Sequence, residues 1–396
     1  MEYKFSDNIA DLKPSAVREI LKSTSDPEVI SLAAGNPAPE AFPVEAVRKI
    51  SAEILDKDPI LALQYGITEG YGPLVELLSK LLKERLGVGN ENDSLIVTSG
   101  ATQVMELLTK VLCNRGSAIA TESPSFIGSL NAFRSYGCRL VGVPCDDDGI
   151  NIEKLEEALQ NNPDIRFLYT IPNFQNPGGM TMSLDKRKEV YRLACKYDII
   201  ILEDNPYGDL RVAGEDIPAI KTFDDEGRVV YAGTFSKVIS PGIRVGYACG
   251  PAEIISKMTV GKQTEDVHTP MFNQLLVYHW LTEYSLDEHI ARMHEIYRRK
   301  LNLMCDLIDS ELGDAVTYVR PEGGLFVWCR LADDLDMMTF VKRAVEKKVA
   351  VVPGTAFLTD PEEKTQCIRL NFSTPSDENI VKGMKLLGEV VKEMRS

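Results

Sequence analysis

Lys237 stands in the segment Gly233-Thr-Phe-Ser-Lys-Val-Ile-Ser-Pro-Gly-Ile-Arg-Val-Gly246, directly after the apolar run Val229-Val-Tyr-Ala232. That run reads as a buried strand. A lysine at the end of a core strand is costly unless its charge is neutralised or paired. Ser236 precedes it, and Arg244 follows in the same segment. One chemistry uses all three. The amine condenses with an aldehyde to give a Schiff base, while the hydroxyl and the guanidinium fork hold a phosphate. A small molecule carrying both groups is pyridoxal phosphate (PLP). A solvated turn lysine beside a surface arginine uses the same residue types.

Four further segments meet the needs of such a ligand. In Thr98-Ser-Gly-Ala-Thr-Gln103 a small-residue turn leads into a helix over 104–112. A helix N-terminus suits a phosphate; Gly100 permits close approach and Thr102 adds a hydroxyl. An ordinary N-cap has the same composition. In Ile199-Ile-Ile-Leu-Glu-Asp-Asn-Pro-Tyr207, Asp204 follows a buried strand and needs a cation. A pyridine N–H is one, and protonating it makes the ring an electron sink. Tyr207 then reaches the ring 3-hydroxyl. A turn or helix-cap aspartate is the alternative. Pro172-Asn-Phe-Gln-Asn-Pro-Gly-Gly179 is turn-rich, and Asn176 lies where its amide meets the 3-hydroxyl or a carboxylate. Arg369, within the apolar run Cys367-Ile-Arg-Leu-Asn-Phe-Ser373, offers a fork that matches a carboxylate. A structural salt bridge at a strand edge explains it equally.

These residues need a scaffold, and the pattern supplies one. From Asp93 onward short β-branched runs alternate with helical stretches: 94–98, 118–121, 139–143, 166–171, 199–202, 229–232 and 244–249. Such alternation predicts an α/β fold with a mostly parallel, seven-stranded sheet covered on both faces. Ligands bind at the carboxyl ends of such strands. The polar signatures recur there, after Thr98, Ile171, Leu202 and Ala232. Helices are expected over 44–56 and 72–86, with a long helical stretch over 270–312. Runs at 316–319, 324–328, 349–352 and 368–372 predict a smaller α+β domain. The expected division is an N-terminal arm with part of the small domain over 1–43, a large domain over 44–284 and a small domain over 285–396.

Composition narrows the classes. The 396 residues are 44% hydrophobic, enough for a large core. The net charge of -15 supplies no basic face for nucleic acid, so none is expected as a partner. It also repels anions, leaving their binding to a few placed arginines. No apolar run approaches the roughly 20 residues of a membrane helix, and Met1-Glu-Tyr-Lys-Phe5 opens no signal peptide. The eight cysteines, with no C-x-x-C, read as reduced thiols of a cytoplasmic protein. The four histidines show no metal-ligand spacing, so no metal is expected. P-loop and G-x-G-x-x-G fingerprints are absent.

Together the segments closely resemble the class I/II, fold-type-I PLP-dependent aminotransferases, over about residues 15–393. The likeness is nearest to the kynurenine/2-aminoadipate (LysN-like) subgroup. It extends to the loop Ser31-Leu-Ala-Ala-Gly-Asn-Pro-Ala-Pro-Glu-Ala-Phe-Pro43, to Leu63-Gln-Tyr-Gly66 and to Gly70-Tyr-Gly72. The resemblance implies Lys237 as the Schiff-base lysine and Asp204 as partner of the pyridine nitrogen. It implies Asn176 and Tyr207 at the 3-oxygen, and Ala101, Thr102, Ser236 and Arg244 at the phosphate. Phe126 would stack on the ring. Arg369 and Asn176 would take the substrate α-carboxylate, with the Gly35 backbone closing over it. Two positions depart from the pattern: Ala101-Thr102 stands where relatives often have Ser-Gln, and Phe126 where tyrosine is common.

The resemblance further implies amino-group transfer from an L-amino acid to a 2-oxo acid, 2-oxoglutarate expected, by a ping-pong route. It implies a homodimer with shared active sites, Tyr65 reaching the partner's phosphate. A helix over 15–22 would carry Arg18 toward a distal carboxylate of the substrate; a solvated or surface-paired arginine fits the same position. Two rivals remain. One is β-elimination on the same fold. The other is a regulatory or binding protein that keeps the fold, against which the intact lysine, aspartate and arginine speak.

Overall fold

The structure is a computed structural model that describes residues 3–10, 12, 28–360 and 362–396. The described residues form fourteen strands. The first is β1 (Ile30–Ser31). The large sheet follows: β2 (Asp93–Thr98), β3 (Ala118–Ser123), β4 (Arg139–Asp146), β5 (Gly149–Ile150), β6 (Ile165–Thr170), β7 (Ile200–Asp204), β8 (Val229–Thr234) and β9 (Gly246–Pro251). The smaller sheets use β10 (Val316–Tyr318), β11 (Phe326–Leu331), β12 (Val349–Ala350), β13 (Val352–Pro353) and β14 (Cys367–Asn371).

The large sheet runs β2-β9-β8-β7-β6-β3-β4-β5. The stretch from β8 to β4 is parallel throughout. Strands β8, β7, β6 and β3 are buried nearly end to end, as both-face coverage requires, whereas β4 buries only Val143. Strand β9 is antiparallel to both its neighbours, β2 and β8, so β2 runs with the parallel set. The carboxyl ends of β2, β3, β6, β7 and β8 therefore share one edge. The sheet has one strand more than the seven expected. Strand β5 is a two-residue hairpin return on β4, too short to carry a periodic signal.

Boundaries differ from the expected ones where local chemistry intervenes. The helix expected from 104 begins at Ala101, capped by Gly100 in a positive-φ conformation (φ 83°). Its buried face, Val104, Met105, Leu107 and Leu108, follows helical spacing and packs on the sheet. Strand β7 runs on through Asp204 itself, and the run expected from 244 starts at Gly246, because Arg244 takes a left-handed conformation (φ 55°). The helix expected over 72–86 holds its α form over Gly72–Leu81 and ends in a wider turn at Leu82–Leu86. The helical stretch expected over 270–312 divides into Met271–Glu283 and Leu286–Leu307, the latter capped by the Ser285 hydroxyl.

A four-stranded antiparallel sheet, β10-β11-β14-β13, carries Arg369 on β14, opposite Trp328 and Val352. Strand β1, from the N-terminal part of the chain, pairs in parallel with β12. Leu32 and Asn371 are also joined, the Asn371 N–H donating to Leu32 O at 2.8 Å. These pairings bring the Gly35 loop over the carboxyl edge of the large sheet.

Candidate active site

A cavity of about 270 Å³ opens at that edge. Lys237, Asp204, Asn176, Tyr207, Phe126 and Arg369 all line it. Gly35 closes one side, and Ala101, Thr102, Ser236 and Arg244 form the opposite end. Residues far apart in the chain meet here because five parallel strands deliver their following loops to one place.

Lys237 follows β8, and its Nζ donates to Gly35 O at 2.8 Å. Burial, with the charges of Arg369 and Arg244, lowers its amine to about 8. Asp204 ends β7 and is 3% exposed. Tyr169 Oη donates to its Oδ2 at 2.8 Å, while Oδ1 is buried with no partner among the described residues. Burial pushes this carboxyl up to about 7, against the pull of Tyr169 and Lys237.

Arg369 projects from β14 into the same cavity. Its Nη1 donates to Asn176 Oδ1 and its Nη2 to Ala33 O, both at 2.8 Å. The guanidinium lies 4.1 Å from the ring centre of Phe326 and 4.8 Å from that of Phe357. Among the described residues it thus has aromatic faces and two acceptors but no carboxylate, and its Nε has no partner. Burial lowers it to about 10, still a cation at neutral pH. Asn176 Nδ2 donates to Tyr207 Oη at 3.3 Å, linking the arginine to the tyrosine.

At the other end the helix Ala101–Leu112 points its free N–H groups at the cavity. Ser236 Oγ receives a hydrogen bond from Thr234 Oγ1 at 2.9 Å, and Arg244 Nη1 approaches it at 3.4 Å. Arg244 Nη2 donates to Ser99 O at 3.0 Å. A Cβ on Gly100 would lie 2.1 Å from that Nη2, so only glycine admits the arginine. A Cβ on Gly246 would lie 2.8 Å from Ala101 N, so here too the backbones meet closely. Phe126 precedes the helix Ile127–Ser135, and its ring fills the space that a Cβ on Gly128 would take.

Several supports escaped the sequence reading. Glu122 is buried under the Phe126 loop and accepts from Thr170 Oγ1 (2.6 Å), Ile171 N (3.2 Å) and Gln175 Nε2 (3.1 Å). It ties the loops after β3 and β6 together, and burial pushes its carboxyl up to about 7. Arg187, wholly buried, donates to the carbonyls of Pro172, Met182, Ile217 and Pro218 and to Asn173 Oδ1, which pins the segment carrying Asn176. Lys262, Asp266 and Gln103 form a network with Ser99 that steadies the turn before the helix Ala101–Leu112. Arg187 and Lys262 lie on helices, away from any strand end, whereas Glu122 does follow the apolar run 118–121, a strand-end signal of the same kind as that of Asp204.

Among the described residues, the expected Gly100 and Tyr65 do not line this cavity. Tyr65 is 81% exposed, its ring edge-on to His268 at 5.8 Å. Arg18 and the helix expected over 15–22 lie outside the described residues.

The family model for class I and II aminotransferases matches residues 27–387. The chain belongs to the class I and II aminotransferases. It is 40% identical to an aromatic-amino-acid aminotransferase 1 of Thermococcus litoralis, over 99% of this chain and 95% of that one. Among solved structures it resembles a Pyrococcus horikoshii kynurenine aminotransferase in complex with PMP (TM-score 0.94, 38% identity, 98% of this chain and 97% of that one). It also resembles LysN, an α-aminoadipate aminotransferase of Thermus thermophilus complexed with N-(5'-phosphopyridoxyl)-L-leucine (TM-score 0.90, 36% identity, 99% and 98%).

As a family member this chain is a fold-type-I, PLP-dependent enzyme that moves an amino group between an amino acid and a 2-oxo acid. The residues present fit the cofactor. A buried carboxylate oxygen bordering the cavity lacks a partner among the described residues, and the cavity is also lined by a helix N-terminus and a glycine-cleared arginine. Among the described residues no helix is long and apolar enough to cross a membrane.

Proposed function

We propose that this aminotransferase takes aromatic amino acids and 2-aminoadipate as donors and 2-oxoglutarate as acceptor, by a ping-pong route. The activities of its relatives support that range. Bound PLP supplies the aldehyde carbon that receives the amino group and the ring that takes up the electron pair left at Cα. Lys237 takes the proton from Cα. An amine near 8 is about one-tenth free base at pH 7, against roughly one part in three thousand at its ordinary value. Asp204 Oδ1 accepts from the ring N–H. Asn176 and Tyr207 hold the 3-oxygen, and Phe126 stacks on the ring. Ala101, Thr102, Ser236 and Arg244 hold the phosphate. Arg369 and Asn176 hold the α-carboxylate, with the Gly35 backbone above it. Arg18 meets a distal carboxylate.

The observation that carries these roles is the cavity itself: an amine near neutrality, an unpartnered carboxylate oxygen and a buried guanidinium border one space. We further propose a homodimer in which Tyr65 reaches the partner's phosphate. An exposed apolar run supports it, with Ile60 76%, Leu63 75%, Tyr65 81% and Ile67 63% exposed. Eight free thiols support a cytoplasmic setting. The pairing of β1 with β12 supports a small domain built from 1–43 and 285–396 around a large domain of 44–284.

The test is a half-reaction screen of amino acids against the absorbance of the bound cofactor, with Lys237→Ala as control. Conversion by aromatic amino acids and 2-aminoadipate, abolished in the variant, is the expected result. Pyruvate and ammonia released with no acceptor present would instead assign a lyase. Sedimentation at micromolar protein should give twice the chain mass.

A further inference from the structure

Among the described residues, Asp204 has one oxygen engaged and one without a partner. Tyr169 Oη donates to Oδ2 at 2.8 Å, and Ser129 Oγ donates to Tyr169 Oη at 2.9 Å. The three residues are 3%, 0% and 1% exposed, so water does not compete for these bonds. Oδ1, with no partner among the described residues, belongs to a residue that borders the cavity. We propose that Tyr169, itself oriented by Ser129, is the positioning residue of Asp204: it occupies Oδ2 and so presents Oδ1 to the ring nitrogen. This rests on the reading of Asp204 as partner of that nitrogen.

First, a carboxylate turns about its Cβ–Cγ bond, and a single fixed donor stops it. Tyr169 is fixed. It lies on β6 beside β7, its ring packed edge-on to Phe133 at 5.4 Å. Second, the donor order is set. While Asp204 is ionised it can only accept, so Tyr169 donates to it and Ser129 donates to Tyr169. Ser129 lies in the first turn of the helix that follows Phe126, so one helix start carries both the ring-facing phenylalanine and the head of this chain of donors. Third, the anion needs help. Burial opposes it, and the buried Glu122 carboxylate interacts with it as a like charge. Lys237 is the cation that favours it, and that support is lost whenever the amine is neutral. Tyr169 favours the anion in either state of Lys237. The remaining groups near this end of the cavity, Tyr207 and Arg369, are linked to Asn176 rather than to Asp204.

Tyr169→Phe keeps the ring and removes only the hydroxyl. Ser129→Ala keeps the tyrosine and removes its donor. Asp204→Asn serves as reference. In protein loaded with PLP labelled at the ring nitrogen with ¹⁵N, Asp204→Asn should move the resonance toward the unprotonated ring. Tyr169→Phe should move it part of the way, and Ser129→Ala in the same direction by less. The half-reaction rate constant of Tyr169→Phe should fall roughly ten- to a hundredfold, as loss of a hydrogen bond to a charged group implies. Its KM for the amino acid should stay within about threefold, since Arg369 is untouched; a general loosening of the core would move both. In the cofactor-free protein, the infrared band lost in Asp204→Asn should report a protonated carboxyl to higher pH in Tyr169→Phe. If Asp204→Asn shifts the resonance and Tyr169→Phe leaves resonance, band and rate unchanged, the positioning role is overturned and the reading of Asp204 stands. If Asp204→Asn itself shifts nothing, that reading fails, and the proposal with it. Should Tyr169→Phe not fold, Ser129→Ala decides by the same resonance.

Discussion

Replacing Arg369 by lysine keeps a positive charge in the cavity and removes the fork. The guanidinium has five N–H groups. Two go to Asn176 Oδ1 and Ala33 O, each at 2.8 Å, which leaves three for a substrate carboxylate. A lysine ammonium has three in all. If it keeps both protein acceptors, one remains, and a bidentate grip becomes a single bond. A lost hydrogen bond to a charged partner costs about 1.5–3 kcal/mol. Losing the planar stack on Phe326 and Phe357 adds about 0.5–1 kcal/mol by releasing the head group from its fixed position. A total of about 2–4 kcal/mol corresponds to a fall in kcat/KM of roughly 30- to 900-fold for Arg369→Lys. Stopped-flow measurement of the amino-acid half-reaction reads it directly. Two controls give the number its meaning. The Kd for PLP should stay within about threefold, because Ser236 and Arg244 are unaltered. An amine that lacks the carboxylate should react equally with parent and variant. A kcat/KM within threefold of the parent, or an equal loss for the amine, would refute the assignment of Arg369 to the α-carboxylate.

Gly100→Ala places a Cβ against Arg244 at a residue whose φ is 83°, a conformation that costs a non-glycine residue about 1–3 kcal/mol. The arginine must swing away, so the Kd for PLP should rise at least tenfold in an equilibrium titration; an unchanged Kd would remove Arg244 from the phosphate. Asp204→Asn should show a pH signature in the cofactor-free protein. The carboxyl is raised from its ordinary value to about 7, so the folded state holds a proton that the unfolded chain releases between about pH 4 and 7. That contribution to stability is full below the unfolded pKa and is lost as pH rises through about 7. The asparagine variant lacks it, so in urea unfolding its stability relative to the parent should climb from pH 4 to 7 and then level. A difference independent of pH would mean that the carboxyl is not raised.

Much of the site was legible because parallel strands advertise their ends. Lys237, Asp204 and Asn176 each follow a short apolar run, and a charged or amide residue in that position needs a partner, either a ligand or protein groups such as the backbone N–H of Ile220 and Lys221 that hold Glu203. Arg369 stood out inside an apolar strand for the same reason. Tyr65 follows from the resemblance alone: it is exposed and does not line the cavity. Tyr169, by contrast, reads as one more apolar residue of β6. Its hydroxyl acquires a meaning only because β6 lies beside β7, a neighbour relation that strand periodicity does not contain. Arg187 and Glu122 are the same case: buried charges whose partners are loop carbonyls, amides and backbone groups that no spacing rule links to them.

The sequence by itself determined the element types, the chemistry of the strand ends and the glycine at position 100, because each follows from local patterning and backbone sterics. Only the tertiary structure decided which strands neighbour one another, as when β3 pairs with β6 and β2 with β9. It alone decided that Arg369 and Asn176, 193 positions apart in the chain, would share a hydrogen bond. It also decided how far the ionisable groups depart from their ordinary values. Proton affinity depends on burial and on the charges within a few ångströms, and those are properties of the packed molecule, set when distant segments exclude water from the same space.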